Sequence, residues 1–103
     1  MEKMRTRTWK GMSKRRVGKI QKYTAQSCNG TVTLMMDVPK QYIPANVDTM
    51  CDWKDRAMIE LYTTGKLLEN GDIACNLSDG QQTKFVIPYR EVGRVELSWL
   101  EAA

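Results

Sequence analysis

The sequence predicts a mainly β domain: a small barrel or strongly bent antiparallel sheet of five to six strands, with at most one short helix and a basic N-terminal arm. Three observations predict it. Apolar and polar residues alternate in several short runs, the period of half-buried strands. Asn-Gly and Asp-Gly pairs, which suit tight hairpin turns, separate some of those runs. Cations crowd the first residues, while the remainder is mildly acidic. At 103 residues the chain is sized for one domain, read as an arm over 1–16 and a β-rich body over 17–103. Its 42% hydrophobic and 27% charged residues are ordinary for a globular protein and argue against wholesale disorder.

Residues 1–16 scatter Thr, Gly11 and Ser13 among basic side chains with weak periodicity, so they read as an arm; a short ordered piece is expected around 17–23. Over 31–38, Val32, Leu34, Met36 and Val38 fall on one face and Thr31, Thr33 and Asp37 on the other, a strand preceded by the turn pair Asn29-Gly30. Pro39 closes it, because proline cannot donate to a ladder. Residues 40–52 hold Pro44, Asn46 and Asp48, and a short helix is expected there, capped by Asp48 and running into Cys51 and Trp53. Ala57, Ile59 and Leu61 alternate with Met58, Glu60 and Tyr62 in the next strand. Asn70-Gly71 predicts a hairpin into Ile73, and Asp79-Gly80 a second one between 73–77 and 85–87. After Gly93, the alternation of Val95, Leu97 and Trp99 gives a last strand.

Charge is the strongest functional signal. Residues 1–22 carry nine Lys or Arg against Glu2 alone, so in a chain of net charge +4 the remainder nets −4. Such asymmetry points to a polyanionic partner, nucleic acid first with duplex DNA favoured, and an acidic protein or membrane surface behind it. The candidate phosphate contacts are Lys10, Lys14, Arg15, Arg16, Lys19, Lys22 and Lys40.

Enzyme chemistry has little to work with. The chain has no histidine, which removes the commonest general base and the usual companion of cysteine around zinc. Cys28, Cys51 and Cys75 form no CxxC pair and read as reduced, core-packed thiols. Asp48, Asp52 and Asp55 are interleaved with Lys54 and Arg56, a pattern of caps and loop charges rather than of a metal site. No glycine-rich phosphate loop is present. The expectation is a non-enzymatic protein without metal or cofactor. No apolar run approaches the length of a membrane span or a signal-peptide core, so the reading is cytoplasmic. Among the aromatics, Phe85 and Trp99 are expected in the core, while Tyr62 shares a strand face with Glu60, opposite Ile59 and Leu61, which leaves both core packing and base stacking open to it. The methionines read as core filling, with Met35, on the polar face of its strand, a candidate for an interface.

One set of residues resembles a known family. Arg15-Arg16-Val17-Gly18-Lys19-Ile20, the strand beginning at Thr31, the step Val38-Pro39-Lys40, and Trp53-Lys54-Asp55-Arg56 leading into the strand at Ala57 look like the AbrB (SpoVT–AbrB) swapped-hairpin family. Lys54 stands where that family has glycine, Pro44 falls in its short helix, and the likeness covers 15–62. The resemblance implies a homodimer of interleaved hairpins that binds DNA in transcription regulation, with Arg15, Arg16, Lys19 and Lys40 facing the duplex. A protein of a different class would fit the same composition: a phage-type or accessory interaction module that inhibits or modulates a host protein complex, using its sheet edge, methionine-rich surface or acidic body.

Overall fold

The structure, a computed structural model, describes residues 2–62, 72–76 and 84–102. In chain order the elements are β1 (Glu2–Trp9), α1 (Lys14–Gln26), β2 (Val32–Pro39), β3 (Cys51–Trp53), β4 (Arg56–Tyr62), β5 (Ile73–Asn76), β6 (Lys84–Ile87) and β7 (Val95–Ala102). Single 3-10 turns follow β2 and β6, at Lys40–Tyr42 and Tyr89–Glu91. Five strands form one antiparallel sheet in the order β1-β7-β2-β4-β3, and β5 pairs with β6 separately. The mainly β expectation holds in its open-sheet form. The sheet does not close into a barrel, since β1 and β3 are its edges.

Alternation decides which side of the sheet is dry. Val32, Leu34, Met36 and Val38 of β2, Ala57, Ile59 and Leu61 of β4, and Val95, Leu97 and Trp99 of β7 are all buried, and the ladder registers set them side by side on one face. Val17 and Ile20 of α1 and Ile87 of β6 complete that core. The reverse face carries Thr33, Met35, Asp37, Met58, Glu60, Glu96 and Ser98. Met35 sits there half-buried, opposite Glu60 on one neighbour and Glu96 on the other.

The largest departure from the sequence reading lies at the N-terminus. The segment read as an arm is built into the fold: all eight residues of β1 pair with β7, from Glu2↔Ala102 to Trp9↔Val95, and the expected 16/17 boundary falls inside α1. α1 starts at Ser13, whose hydroxyl accepts from the Arg16 N–H at 3.2 Å, a standard N-cap. It stops at Ser27, which turns both its backbone N–H and its hydroxyl onto the Thr24 carbonyl. Val17, Ile20 and Tyr23 recur every three residues and seat the helix on the sheet.

The short helix expected ahead of Trp53 is not formed; Cys51–Trp53 is instead the edge strand β3, exposed throughout and paired to β4. Too few apolar side chains are available there to bury a helix, whereas a hairpin with β4 satisfies the backbone at once. Its two-residue loop is Lys54-Asp55, and Lys54 adopts φ 51°. A side chain in that left-handed region costs about 1–2 kcal/mol, which glycine avoids. Lys54→Gly is accordingly expected to stabilise the fold by about 0.5 kcal/mol after its greater unfolded-state entropy, and Lys54→Val to destabilise it by about 1 kcal/mol. Urea midpoints in the opposite order would contradict this account of the turn.

The strands expected at 31–38 and 95–99 are present as β2 and β7, and the one expected from Ala57 as β4, Arg56–Tyr62. β5 and β6 pair as the second hairpin requires, but the Asp79-Gly80 turn, the Asn70-Gly71 hairpin and the side chain of Tyr62 lie outside the described residues. Phe85 packs partly buried against the core, and Trp99 is inside it.

Candidate nucleic-acid interface

The sequence of α1, KRRVGKIQKYTAQ, holds five cations and no acid. Three of its features work against an isolated helix. Lys14, Arg15 and Arg16 occupy the first turn, where the helix dipole is positive and each exposed cation costs about 0.3–1 kcal/mol. Arg15 and Lys19 are like charges one turn apart, which costs a few tenths more. Gly18 sits in the interior, where glycine is worse than alanine by about 1 kcal/mol. Local rules broken together in one element are the usual mark of a functional surface.

The candidate cations divide into those that face outward and those that do not. Lys14, Arg15, Lys19 and Lys22 are exposed along α1, and Lys10 is exposed at the join with β1. Arg16 turns inward. Its Nη1 donates to the carbonyls of Lys10 at 2.8 Å and Gly11 at 3.0 Å, so it braces the tight link in which Gly11 takes φ 96°. Lys40 belongs to a separate neighbourhood at the β3–β4 hairpin: its Nζ lies 3.6 Å from Asp52, and its N–H donates to the Asp55 carbonyl. The structure thus gathers Lys10, Lys14, Arg15, Lys19 and Lys22, assigns Arg16 a bracing role, and leaves Lys40 in an ion pair.

β1 adds cations that the sequence reading left out of the site. Arg5 pairs with Trp99 and Arg7 with Leu97, so Lys3, Arg5 and Arg7 project from the edge strand on the α1 side of the sheet. The signal was present in the period-two spacing of Lys3, Arg5 and Arg7, but it acquires meaning only once the segment is known to be a strand. Arg7 donates to the Tyr23 hydroxyl at 2.8 Å and lies 5.7 Å from the ring centres of both Trp9 and Tyr23. Arg5 lies 3.6 Å from Glu101. The reverse face is mixed: Glu2, Asp37, Glu60 and Glu96 share it with Arg56, which pairs with Asp37, and Arg94, 3.9 Å from Glu96, whereas the helix side is mainly basic, with Glu101 beside Arg5.

The remaining chemistry is sparse. Asp52 accepts from the Thr49 hydroxyl at 2.7 Å and faces Lys40, and no group of acids or thiols among the described residues is arranged to hold a metal ion. Cys28 and Cys51 are exposed, not core-packed as expected; each sits where the chain leaves the core, in the turn after α1 and on edge strand β3. Of the methionines, Met12 and Met36 do fill the core, while Met4 and Met50 are 60% and 53% exposed. Arg90 donates to the Tyr89 hydroxyl, and that hydrogen bond raises its pKa above the ordinary arginine value. No helix among the described residues is long and apolar enough to cross a membrane. No protein-family model, no curated protein and no solved structure matches this chain.

Proposed function

We propose that this is a small non-enzymatic nucleic-acid-binding protein, a DNA-binding regulator that contacts phosphates through the outer face of α1 and the cationic edge of β1. The observation that carries this reading is α1 itself: five cations and no acid on a helix whose charges oppose its own dipole. Phosphates against that face would relieve the repulsion, and its concentration of positive charge would steer a polyanion onto the helix.

Fluorescence anisotropy with a labelled duplex across a salt series tests it. Affinity should fall linearly in log–log, and replacing Arg15, Lys19 and Lys22 with glutamine should lower the slope by about 0.9 for each phosphate no longer neutralised. The same triple variant should unfold at an unchanged or higher urea concentration, because like-charge pairs have been removed. An unchanged slope and affinity would refute the reading. Deleting 1–16 is not a usable substitute, since it removes β1 and the helix cap together.

A narrower form of the proposal keeps the AbrB likeness. It is supported by the positive φ of Lys54, at the position where that family has glycine, and sedimentation equilibrium should then show a homodimer. A second reading, the protein-interaction module, is favoured by the opposite sheet edge, where Met50 and Trp53 (40% exposed) flank Cys51. It requires activity that survives the triple glutamine substitution.

A further inference from the structure

Gly18 is not required to be glycine by anything among the described residues. Its φ is not in the left-handed region, and a Cβ built there would meet nothing within 4 Å. Alanine would fit and would make a better helix. A partner that comes close to the helix backbone would account for the absent side chain.

The surroundings of Gly18 define what that is. Arg15, Gly18, Lys22 and Ala25 are spaced by three and four residues, so they form one line along the exposed side of α1. Lys14 and Gln21 flank this line on one side, Lys19 and Gln26 on the other, and all of these are exposed. Gly18 thus lowers the ridge between the two long cations Arg15 and Lys22, and Ala25 lowers it again beyond Lys22. A second copy of α1 packed there would set cation against cation, which excludes self-association through this face. A polyanion with a concave surface fits: the flanking cations reach its walls while the backbone at Gly18 approaches its floor.

Resting on the nucleic-acid reading above, we propose that α1 is the recognition element, and that it enters the major groove of B-form duplex DNA with Gly18 at the point of closest approach. An α-helix is about 10–12 Å across, and that groove is about 12 Å wide. The major groove of A-form RNA is too deep and narrow to admit it. Lys14 and Lys19, on the two flanks, reach phosphates on the groove walls, with Gln21 and Gln26 beside them. Arg15 and Lys22, on the central line with Gly18, face the base edges, where arginine or lysine pairs with guanine O6 and N7.

The test uses the full chain and its Gly18→Ala and Gly18→Leu variants, with random-sequence 20-base-pair duplex DNA and matched duplex RNA as probes. Both variants should melt higher than the parent, by about 4 °C for alanine, which shows the helix intact. Gly18→Leu should bind DNA about tenfold more weakly, the effect of forcing bulk into a packed contact. Dimethyl sulfate should be blocked at guanine N7 in the major groove of DNA bound by the parent protein. Undiminished binding by Gly18→Leu, unprotected N7 in bound DNA, or a parent preference for duplex RNA would each overturn the placement of α1 while leaving nucleic-acid binding in force. No binding by the parent to either probe at low salt would remove the broader reading, and this one with it.

Discussion

Replacing Trp99 with alanine is expected to destabilise the fold by about 3–5 kcal/mol, a large part of what a domain this size possesses. Trp99 is 5% exposed and lies between Arg5 of β1 and Val32 of β2 in the ladder. Its ring stacks on Tyr23 with centroids 4.5 Å apart and planes 21° from parallel. Through Tyr23 it holds the C-terminal half of α1, a helix with little stability of its own. Loss of the indole should therefore cost helical circular-dichroism signal as well as urea resistance. Trp99→Phe makes the informative contrast. Among the described residues the buried indole N–H has no hydrogen-bond partner, and such a group carries a penalty of about 1–3 kcal/mol. Phenylalanine keeps a stacking ring and removes the orphaned donor, so its cost should be well under half that of alanine. Equal losses for the two variants would mean that the stack contributes nothing specific.

Gly93→Ala should cost about 2–3 kcal/mol, for reasons unrelated to helix or strand propensity. A Cβ at Gly93 would stand 2.6 Å from Oδ2 of Asp37 and 3.1 Å from Nη2 of Arg56. Asp37 cannot swing aside freely, because its Oδ1 accepts from Arg56 Nε at 2.8 Å. Arg56 is held in turn by donating to the Asp37 and Glu91 carbonyls at 3.2 and 2.9 Å. The backbone is equally committed: the Gly93 N–H donates to Asp37, and the Asp37 N–H to Arg94. One methyl group thus forces either the ion pair or these backbone bonds to give way. A double-mutant cycle isolates the cause. In an Asp37→Ala background the carboxylate is gone, and the alanine at 93 should cost little more. Strict additivity of the two changes would show that the clash is not with Asp37.

Legibility in the sequence followed burial. β2, β4 and β7 have one wet and one dry face, so period-two alternation announced them. β1 is an edge strand exposed along nearly its whole length, and its alternation is of cations with Thr and Met, which carries no hydrophobic period. It is a strand because β7 offers it a ladder, a fact of tertiary structure. α1 buries only Val17 and Ile20 fully, too few apolar residues to stand out among its lysines and arginines. The basic character of this surface was evident from composition. Its shape was not: Arg16 and Lys40 are equally basic in sequence, and only the fold turns one into a brace and the other into a partner for Asp52.

The order β1-β7-β2-β4-β3 also dictates a schedule. β2, β3 and β4 are near neighbours in sequence and can pair soon after they are synthesised. β1, made before them, has no place in that growing sheet until β7 slides in between it and β2, joining Glu2 to Ala102. Closing so long a loop is slow, on the order of milliseconds to seconds for sheets of distant strands. Throughout that interval a nascent chain displays an unpaired strand edge, the kind of template on which other chains aggregate. Lys3, Arg5 and Arg7 set like charges along that edge, the kind of device that disfavours pairing of one copy of the strand with another.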